Sequence, residues 1–477
     1  MEVFSNVIMT ILRSAQGLGI AGATYCFIRA AYKCFWCKES FKDSKNDALA
    51  GCVGLIVLLG ADKIAAWLQS TINFYENIFD NLDLSFIPEF IESKRGPKGY
   101  SRHALTRAFV VMNCEHFREI TLLCDFLNTN LKIAQLCGFD ITKPLPSYSV
   151  YQRFIHDIDN NLLKEIMKSQ VNELIKLDAI DNSIVSVDST PIKANTKYNN
   201  PKCFSKNKFS NEKHPKSDKD CKLGVHTANN EDSKKNYTFY WGYKNLIMCD
   251  AKSGLPIYEV TLTGEKADVS SLINFLDKIN SWFSLKNSKI LADKGFDSKA
   301  NYNYIKDVLH SEAFIAKNKR NSKTVETISC GNTLCEAGLA MHKDGKQYLK
   351  GSIKQKFCCP FRTSKDDSKC PCNHPKYNNG HKNRGCIKYK SISTDYRSTV
   401  DDTSDYFKLY YSKRTESERY NSRFKNLNLE NASVRNISSI SNLNTLGHIC
   451  LLTVAIAAIV NKKEDKICSL SKLKRAS

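Results

Sequence analysis

An ordered series of short strands and helices between residues 183 and 316 constrains the fold of this chain more than any other feature. The strand patterns are short β-branched or apolar runs bounded by turn residues, and the helix patterns begin at Asp268 and at a capping Ser298. In chain order they predict strands at 183–188, 243–249 and 255–263, a helix at 268–283, a strand at 289–293, a helix at 298–309 and a strand at 313–316. The first three strands can pair antiparallel, so an α/β fold with one mixed sheet is predicted.

This order of elements is that of an RNase H-like fold, a mixed sheet with flanking helices. An all-α region precedes the sheet, and a Cys-rich insertion interrupts it. The predicted division is a helical N-terminal region without an assigned role at 1–95, a helical region at 96–180, the first part of the RNase H-like domain at 181–320, the insertion at 321–400, and a charged helix, a closing apolar helix and a basic tail at 401–477. Region 96–180 fits a helix-turn-helix DNA-binding module and fits plain helical packing equally well.

The net charge of +21 at pH 7 predicts a polyanionic partner, either nucleic acid or a membrane surface. Hydrophobic residues make up 42% of the chain, which excludes a disordered protein. The longest apolar run, Ala48–Ala61, has 14 residues, fewer than the roughly 18 to 20 that a spanning helix needs. No signal peptide is evident, so we expect a cytoplasmic protein without a membrane partner.

Two aspartates stand where predicted strands end. Asp188 closes the first strand and Asp293 closes the strand at 289–293. If these two strands are neighbours, both carboxylates emerge at one edge of the sheet, where a divalent cation would relieve their repulsion. Hard oxygen ligands select Mg²⁺ or Mn²⁺. Aspartate at a strand end is also ordinary turn chemistry, but the pair in this topology favours a metal site.

A charged helix at 411–425 supplies the third acid. At about 100° per residue, Tyr411, Arg414, Glu418 and Lys425 fall within an arc of about 60° and form one stripe. A solvated helix with an Arg414–Glu418 ion pair would show the same charges. Glu416 is the competing acid, but it lies about 200° from Glu418 around the helix, so the two cannot face the same site.

The spacing Tyr411-x2-Arg414-x3-Glu418-x6-Lys425 resembles the YREK signature of a large group of DDE insertion-sequence transposases. The segments at 188–194 and 292–298 resemble the two aspartate motifs of that group. Between them, Gly242-Tyr-Lys244 and then Asp268 also resemble that group, in the same order along the chain. The resemblance covers about residues 140 to 450. It implies a transposase that cleaves DNA and transfers strands at the ends of its own insertion sequence.

The resemblance also implies roles for individual residues. The implied catalytic acids and ligands of two Mg²⁺ (or Mn²⁺) ions are Asp188, Asp293 and Glu418, and the implied DNA-binding residues are Tyr411, Arg414 and Lys425. The implied partners are double-stranded DNA, at the transposon ends and at the target, and a second subunit in a homodimer on DNA. The implied location is the bacterial cytoplasm, associated with the nucleoid. Two alternatives stay open: an inactive or domesticated DNA-binding derivative, and an RNase H-like nuclease without strand transfer.

Cysteines cluster between the second aspartate and the glutamate. Seven of the 19 cysteines of the chain fall within residues 330–386. Disulfides are unexpected in a cytoplasmic protein, so a structural Zn²⁺ is the chemical alternative to simple packing. Clean CxxC pairs are missing. The candidate zinc ligands are Cys335, Cys359, Cys370, Cys372 and Cys386.

Overall fold

The computed structural model describes residues 22–26, 28–32, 49, 52, 69–91, 99–196, 215, 217–229, 235–318, 328, 331–349, 352–361, 386–392 and 395–476. These residues form two compact units. The first unit combines residues 1–178 with 426–477, and the second comprises residues 179–425. Most of the apolar run at 48–61 lies outside the described residues, as does most of a lysine-rich polar segment at 193–222.

The first unit is helical. Its helices are α1 (69–80), α2 (Arg102–Cys114), α3 (Ile120–Thr129), α4 (Leu131–Cys137), α5 (Tyr148–Asp157), α6 (Asn160–Lys176), α12 (Ile437–Val460) and α13 (Leu470–Ala476). Gly138 ends α4 in the left-handed conformation, which glycine adopts without strain. Helices α5 and α6 are separate elements. The chain breaks at Ile158, and the Asp159 carboxylate caps α6 by accepting the Asn161 N–H at 2.9 Å.

Helix α12 forms the centre of the first unit, packed against α2, α5 and α6. Its buried polar side chains are paired: the Asn442 amide donates to the carbonyl oxygens of Ile155 and Ile158, at 2.9 and 2.8 Å. The Thr453 hydroxyl accepts from Gln170 at 2.6 Å. Among the described helices, α12 alone is long and apolar enough to cross a membrane, and 89% of its most apolar window is buried inside the protein. Burial of this kind is also what the core helix of a bundle shows.

The second unit is built on a six-stranded mixed sheet. Its strands are β1 (Ile184–Lys193), β2 (Lys222–Asn229), β3 (Lys235–Asp250), β4 (Pro256–Thr263), β5 (Lys289–Ala292) and β6 (Glu312–Ile315). The strand order is β2-β3-β1-β5-β6, with β4 paired to β3. Strands β1 to β4 pair antiparallel, whereas β5 runs parallel to β1 and β6 runs parallel to β5. Helix α7 (Asp268–Asn280) connects β4 to β5, and helix α8 (Lys299–Asn303) lies between the parallel strands β5 and β6.

The sequence prediction of the sheet needs two corrections. Strand β2 was not predicted, and β3 begins at Lys235 rather than Tyr243, because the two strands pair with each other along eight residues of mostly polar sequence. Strand β1 also does not end at Asp188. It continues to Lys193, because β3 pairs with it along its whole length. Most residues after Asp188 are polar, so a prediction based on hydrophobic runs does not detect this extension.

The Cys-rich insertion contains a second, smaller sheet that the sequence did not reveal. Its antiparallel strands are β7 (His342–Leu349), β8 (Ser352–Cys358) and β9 (Ile387–Ser391), in that order. An apolar cluster lies against it, formed by Cys335, Met341, Phe357, Cys359 and Cys386. The strands are rich in lysine, so they lack the apolar alternation that identifies a strand.

The chain returns from the insertion to the main sheet through α9 (Tyr396–Thr399), α10 (Asp405–Tyr411) and α11 (Thr415–Asn426). Arg397 forms a two-point ion pair with the buried Asp297 carboxylate at 2.5 and 2.6 Å, which ties α9 to the loop after β5. Phe407 of α10 packs in a cluster with Ile184, Leu291 and Phe314 of three adjacent strands. The predicted charged helix at 411–425 is wrong in one detail, because a 3-10 turn at Ser412–Arg414 separates α10 from α11.

Candidate active site

The edge of the main sheet opens into a polar cleft of about 420 Å³ within the second unit. The cleft receives side chains from the first strands of the sheet, from the start of α7, from the loop after β5 and from α11. Its charged and amide-bearing lining residues are Asp188, Asp268, Asp293, Glu418, Lys244, Arg414, Lys425 and Asn421. The three predicted acids therefore share one cleft with two of the predicted DNA-binding residues, Arg414 and Lys425.

Sheet register places the two predicted aspartates side by side. Strands β1 and β5 are neighbours, and their last parallel pair joins Val187 to Ala292. Asp188 and Asp293 are the next residues on each strand, immediately beyond that pair. The prediction that the two carboxylates emerge together holds, although Asp188 lies in the middle of β1 rather than at its end.

Each aspartate carboxylate accepts a backbone hydrogen bond. The Ser189 N–H donates to Asp188 Oδ1 at 2.9 Å, and the Gly295 N–H donates to Asp293 Oδ1 at 2.5 Å. A Cβ at position 295 would lie 2.7 Å from Asp293 Oδ1, which explains why glycine occupies this turn. Each bond fixes one oxygen of its carboxylate.

Burial and mutual repulsion disfavour the charged forms of the two aspartates. Burial raises the pKa of Asp188 to about 6, and the charges of Asp293 and Asp268 add to the rise against the opposing Ser189 N–H and Arg414. Burial likewise raises the pKa of Asp293, with a further contribution from Asp268. A site that raises the pKa of neighbouring carboxylates in this way is suited to a divalent cation, which stabilises them in their charged form.

Glu418 lies on α11 and is paired in this structure with Arg414, whose guanidinium donates to Glu418 Oε1. The Arg414 guanidinium also lies over the Tyr411 ring, 5.6 Å from its centroid. The Tyr411 ring stacks on Phe407 at 5.2 Å between centroids. These contacts bring three of the four stripe residues together despite the 3-10 turn between them.

The competing acid, Glu416, points elsewhere. Its Oε1 accepts from Arg419, and its Oε2 lies near Gly254, in the turn between β3 and β4. Glu416 does not line the cleft. Glu416 and Glu418 therefore point to different sides of the helix, as their angular separation predicts.

Sequence reasoning gave no role in the cleft to three other residues. Lys244 of β3 forms an ion pair with Asp268 at the start of α7, at 2.8 Å. Asn421, one helical turn after Glu418, donates from its amide to Asp188 Oδ2 at 2.9 Å. The i, i+3 spacing of Asn421 from Glu418 is a signal that could have identified it, because such residues share a helix face.

The acids of the cleft do not form a closed metal cage as they stand. Within the residues that the structure describes, no three His, Cys, Asp or Glu side chains are grouped so as to hold a metal ion. In the cleft this reflects the pairing of Glu418 with Arg414 and of Asp268 with Lys244. The donor set of two adjacent carboxylates, a nearby glutamate and an amide nevertheless has the oxygen chemistry that Mg²⁺ and Mn²⁺ prefer.

The candidate zinc ligands are only partly described. Cys335, Cys359 and Cys386 are buried together in the apolar cluster of the insertion, and the Cys359 N–H donates to the Cys386 carbonyl at 3.0 Å. Cys370 and Cys372 lie outside the described residues. The zinc site stays a prediction.

The protein has a mixed α/β fold, and its cleft holds acidic side chains beside basic ones. The acidic side chains are suited to a metal ion, and the basic side chains are suited to a phosphate backbone. Residues 180–453, more than half of the chain, match the family described as "Transposase DDE domain". Residues 63–157 match a second family, described as "Transposase domain (DUF772)". The chain belongs to the DDE transposase family, and its function is that of a transposase.

Two solved structures are similar to this chain. One is a cryo-EM structure of the piggyBac transposase synaptic complex with hairpin DNA, with a TM-score of 0.38 and 10% identity, covering 85% of this chain and 78% of that one. The other is the Mos1 transposase paired-end complex with the left transposon end, with a TM-score of 0.15 and 12% identity, covering 47% of this chain and 61% of that one. No curated protein matches the sequence.

Proposed function

We propose that this transposase cleaves DNA and transfers strands at the ends of its own insertion sequence, with Asp188, Asp293 and Glu418 as its catalytic acids. The observation that carries the proposal is the register of β1 and β5, which sets Asp188 and Asp293 side by side in the cleft that Glu418 also lines. We further assign the chain to the YREK-signature group and its sheet to the RNase H-like type. The strand order and directions support the second assignment.

The three acids are proposed to hold two Mg²⁺ or Mn²⁺ ions. When bound, a pair of such ions activates the attacking oxygen and stabilises the leaving oxygen of an in-line displacement at phosphorus. The chain itself fixes the ligands: the backbone N–H groups of Ser189 and Gly295 orient the two aspartates. Glu418 must exchange its ion pair with Arg414 for the metal.

The basic residues of the cleft are proposed to hold DNA. Once Glu418 is released, the Arg414 guanidinium is available for a phosphate near the scissile bond, and Lys425 lines the same cleft. Tyr411 supports Arg414 through ring contact and is proposed to contact the DNA near the cleaved end. Because Arg414 has one partner without DNA and another with it, DNA and metal binding are expected to assist each other.

The insertion sheet is proposed to add to the DNA-binding surface. Strands β7–β9 carry six lysines, at 343, 346, 354, 356, 388 and 390, against one aspartate, Asp344. Lys356 is paired with Asp344 at 2.6 Å, and Lys388 donates to the Leu334 carbonyl at 2.7 Å. The remaining excess of positive charge suits the phosphate backbone.

Other parts of the proposal concern the whole protein. Joining two transposon ends requires two active sites, so a homodimer on DNA is proposed. The helical region at 96–180 is the proposed helix-turn-helix element, and the insertion is the proposed zinc module. The proposed location is the bacterial cytoplasm with the nucleoid.

The experiment that tests this function is cleavage and joining on a short duplex that carries the ends of the insertion sequence. With Mg²⁺, the protein is expected to cut the end duplex and join it to a second duplex, and a scrambled end is the control. Addition of EDTA is expected to stop both steps. Full activity in EDTA would contradict the metal mechanism, and cleavage without any joining would identify a nuclease instead of a transposase.

A further inference from the structure

Asn421 connects the helix that carries Glu418 to the strand that carries Asp188. Its amide Nδ2 donates to Asp188 Oδ2 at 2.9 Å across 233 residues of chain. The other Asp188 oxygen accepts from the Ser189 N–H at 2.9 Å. Asp188 is therefore held at both oxygens, once by its own strand and once by α11.

The chemistry of the contact fixes which way the Asn421 amide is turned. An ionised carboxylate only accepts hydrogen bonds, so the NH₂ group must face Asp188 and the amide oxygen must face away from it. The opposite rotation would bring two oxygens with partial negative charge together.

The amide oxygen of Asn421 is left without a partner. Asn421 Oδ1 is buried and accepts no hydrogen bond among the described residues. A buried polar atom without a partner costs about 1–3 kcal/mol, so such atoms are rare and call for an explanation. Asn421 itself is among the residues that line the cleft that holds the acids.

We propose that Asn421 is a further ligand of the metal site: its Nδ2 orients Asp188, and its Oδ1 coordinates the divalent cation. Amide oxygens are regular ligands of hard cations. An amide contributes an oxygen without a negative charge, which matters where Asp188, Asp268 and Asp293 already repel one another. This inference rests on the proposed function, because it needs a metal ion at these acids.

The test is Mn²⁺ binding to the full-length protein, followed by electron paramagnetic resonance without DNA. Asn421→Leu keeps the size of the side chain and removes both polar atoms. We expect it to weaken Mn²⁺ binding about 10- to 100-fold, the range found when groups that orient or support metal ligands are lost. Asn421→Asp restores an oxygen ligand, and we expect its binding at pH 8 to stay within a few-fold of the wild type.

The matched control is Asn426→Leu, the same substitution at an exposed position on the same helix. It is expected to bind Mn²⁺ as the wild type does. Wild-type affinity in Asn421→Leu would overturn the inference, and equal losses in Asn421→Leu and Asn421→Asp would overturn the assignment of Oδ1 as a ligand. Asp188→Asn tests the proposed metal site itself. If Asp188→Asn binds Mn²⁺ as the wild type does, the proposed metal site is wrong, and the inference about Asn421 is wrong with it.

Discussion

At the scale of single residues, burial in the cleft makes the charged forms of two aspartates unfavourable. Asp188 has a folded-state pKa of about 6, above its ordinary value of 3.8. A carboxyl group whose pKa is higher in the folded than in the unfolded protein lowers the free energy of unfolding as the pH rises from the unfolded-state pKa to the folded-state pKa. This is the reverse of the usual behaviour of a salt-bridged aspartate, and it is what the proposed metal site requires of its acids.

Asp188→Asn should therefore stabilise the protein while abolishing cleavage. Without metal at pH 7.5, we expect urea unfolding to show a gain of about 1–3 kcal/mol over the wild type, since a shift of one pKa unit corresponds to about 1.4 kcal/mol. The gain should shrink as the pH falls from 6 to 4, where the wild-type carboxyl becomes protonated. Equal stability of the two proteins at pH 7.5 would contradict the raised pKa.

Asp268 is the acid that could be mistaken for a catalytic one. It lines the cleft, but it is paired with Lys244 at 2.8 Å, and its charge raises the pKa values of Asp188 and Asp293. Asp268→Asn should keep cleavage at pH 8 and shift the acid limb of the pH–rate profile to lower pH. Asp277→Asn, on the same helix, is the control. Complete loss of cleavage in Asp268→Asn would make Asp268 a metal ligand.

At the scale of elements, hydrophobic runs predict buried strands and miss polar ones. The parallel strand β5 and the core of β1 were predicted, and their pairing is confirmed. Strand β2, the first part of β3 and the sheet of the insertion were missed, because their stability comes from pairing with neighbours and not from an apolar face. Asn421 was missed for a related reason: its partner is 233 residues away, and only the folded sheet brings the two together.

Gly242 shows how an element depends on one residue. A Cβ at this position of β3 would lie 1.9 Å from the Ile192 carbonyl oxygen of β1, a distance at which the backbone must move. Gly242→Ala should destabilise the second unit by about 1–3 kcal/mol or more, as overpacking does, measured by urea unfolding. Gly22→Ala, in a helical segment with open space around it, is the control and should change little. A stable Gly242→Ala protein would contradict the close approach of β1 and β3.

The insertion sheet offers a test of the DNA-binding surface. Reversing the charges of Lys346, Lys354 and Lys390 together should weaken binding to end and scrambled duplexes alike, because lysine–phosphate contacts carry no sequence information. Each lost contact should reduce the slope of log affinity against log salt by about 0.9. Lys278→Glu, at an exposed position of α7 outside this sheet and outside the proposed helix-turn-helix element, is the control. An unchanged slope in the triple variant would remove the insertion sheet from the DNA surface.

At the scale of the whole molecule, the net charge of +21 and the acidic cleft both fit the same proposed function. Positive charge attracts DNA, and the proposed metal ions would allow Asp188, Asp293 and Glu418 to approach a phosphate in their charged forms. Family membership covers the residues that build this cleft, at 180–453. The charge of the chain predicts its partner, and the placement of three acids within that charge predicts the chemistry.

The most direct test of this account compares Glu418→Gln with Glu416→Gln in Mg²⁺-dependent cleavage of the end duplex. The two glutamates are two residues apart on α11, but only Glu418 lines the cleft. We expect Glu418→Gln to reduce the rate of cleavage by at least about 100-fold and Glu416→Gln to cleave at nearly the wild-type rate. Full cleavage by Glu418→Gln would contradict the assignment of the three acids.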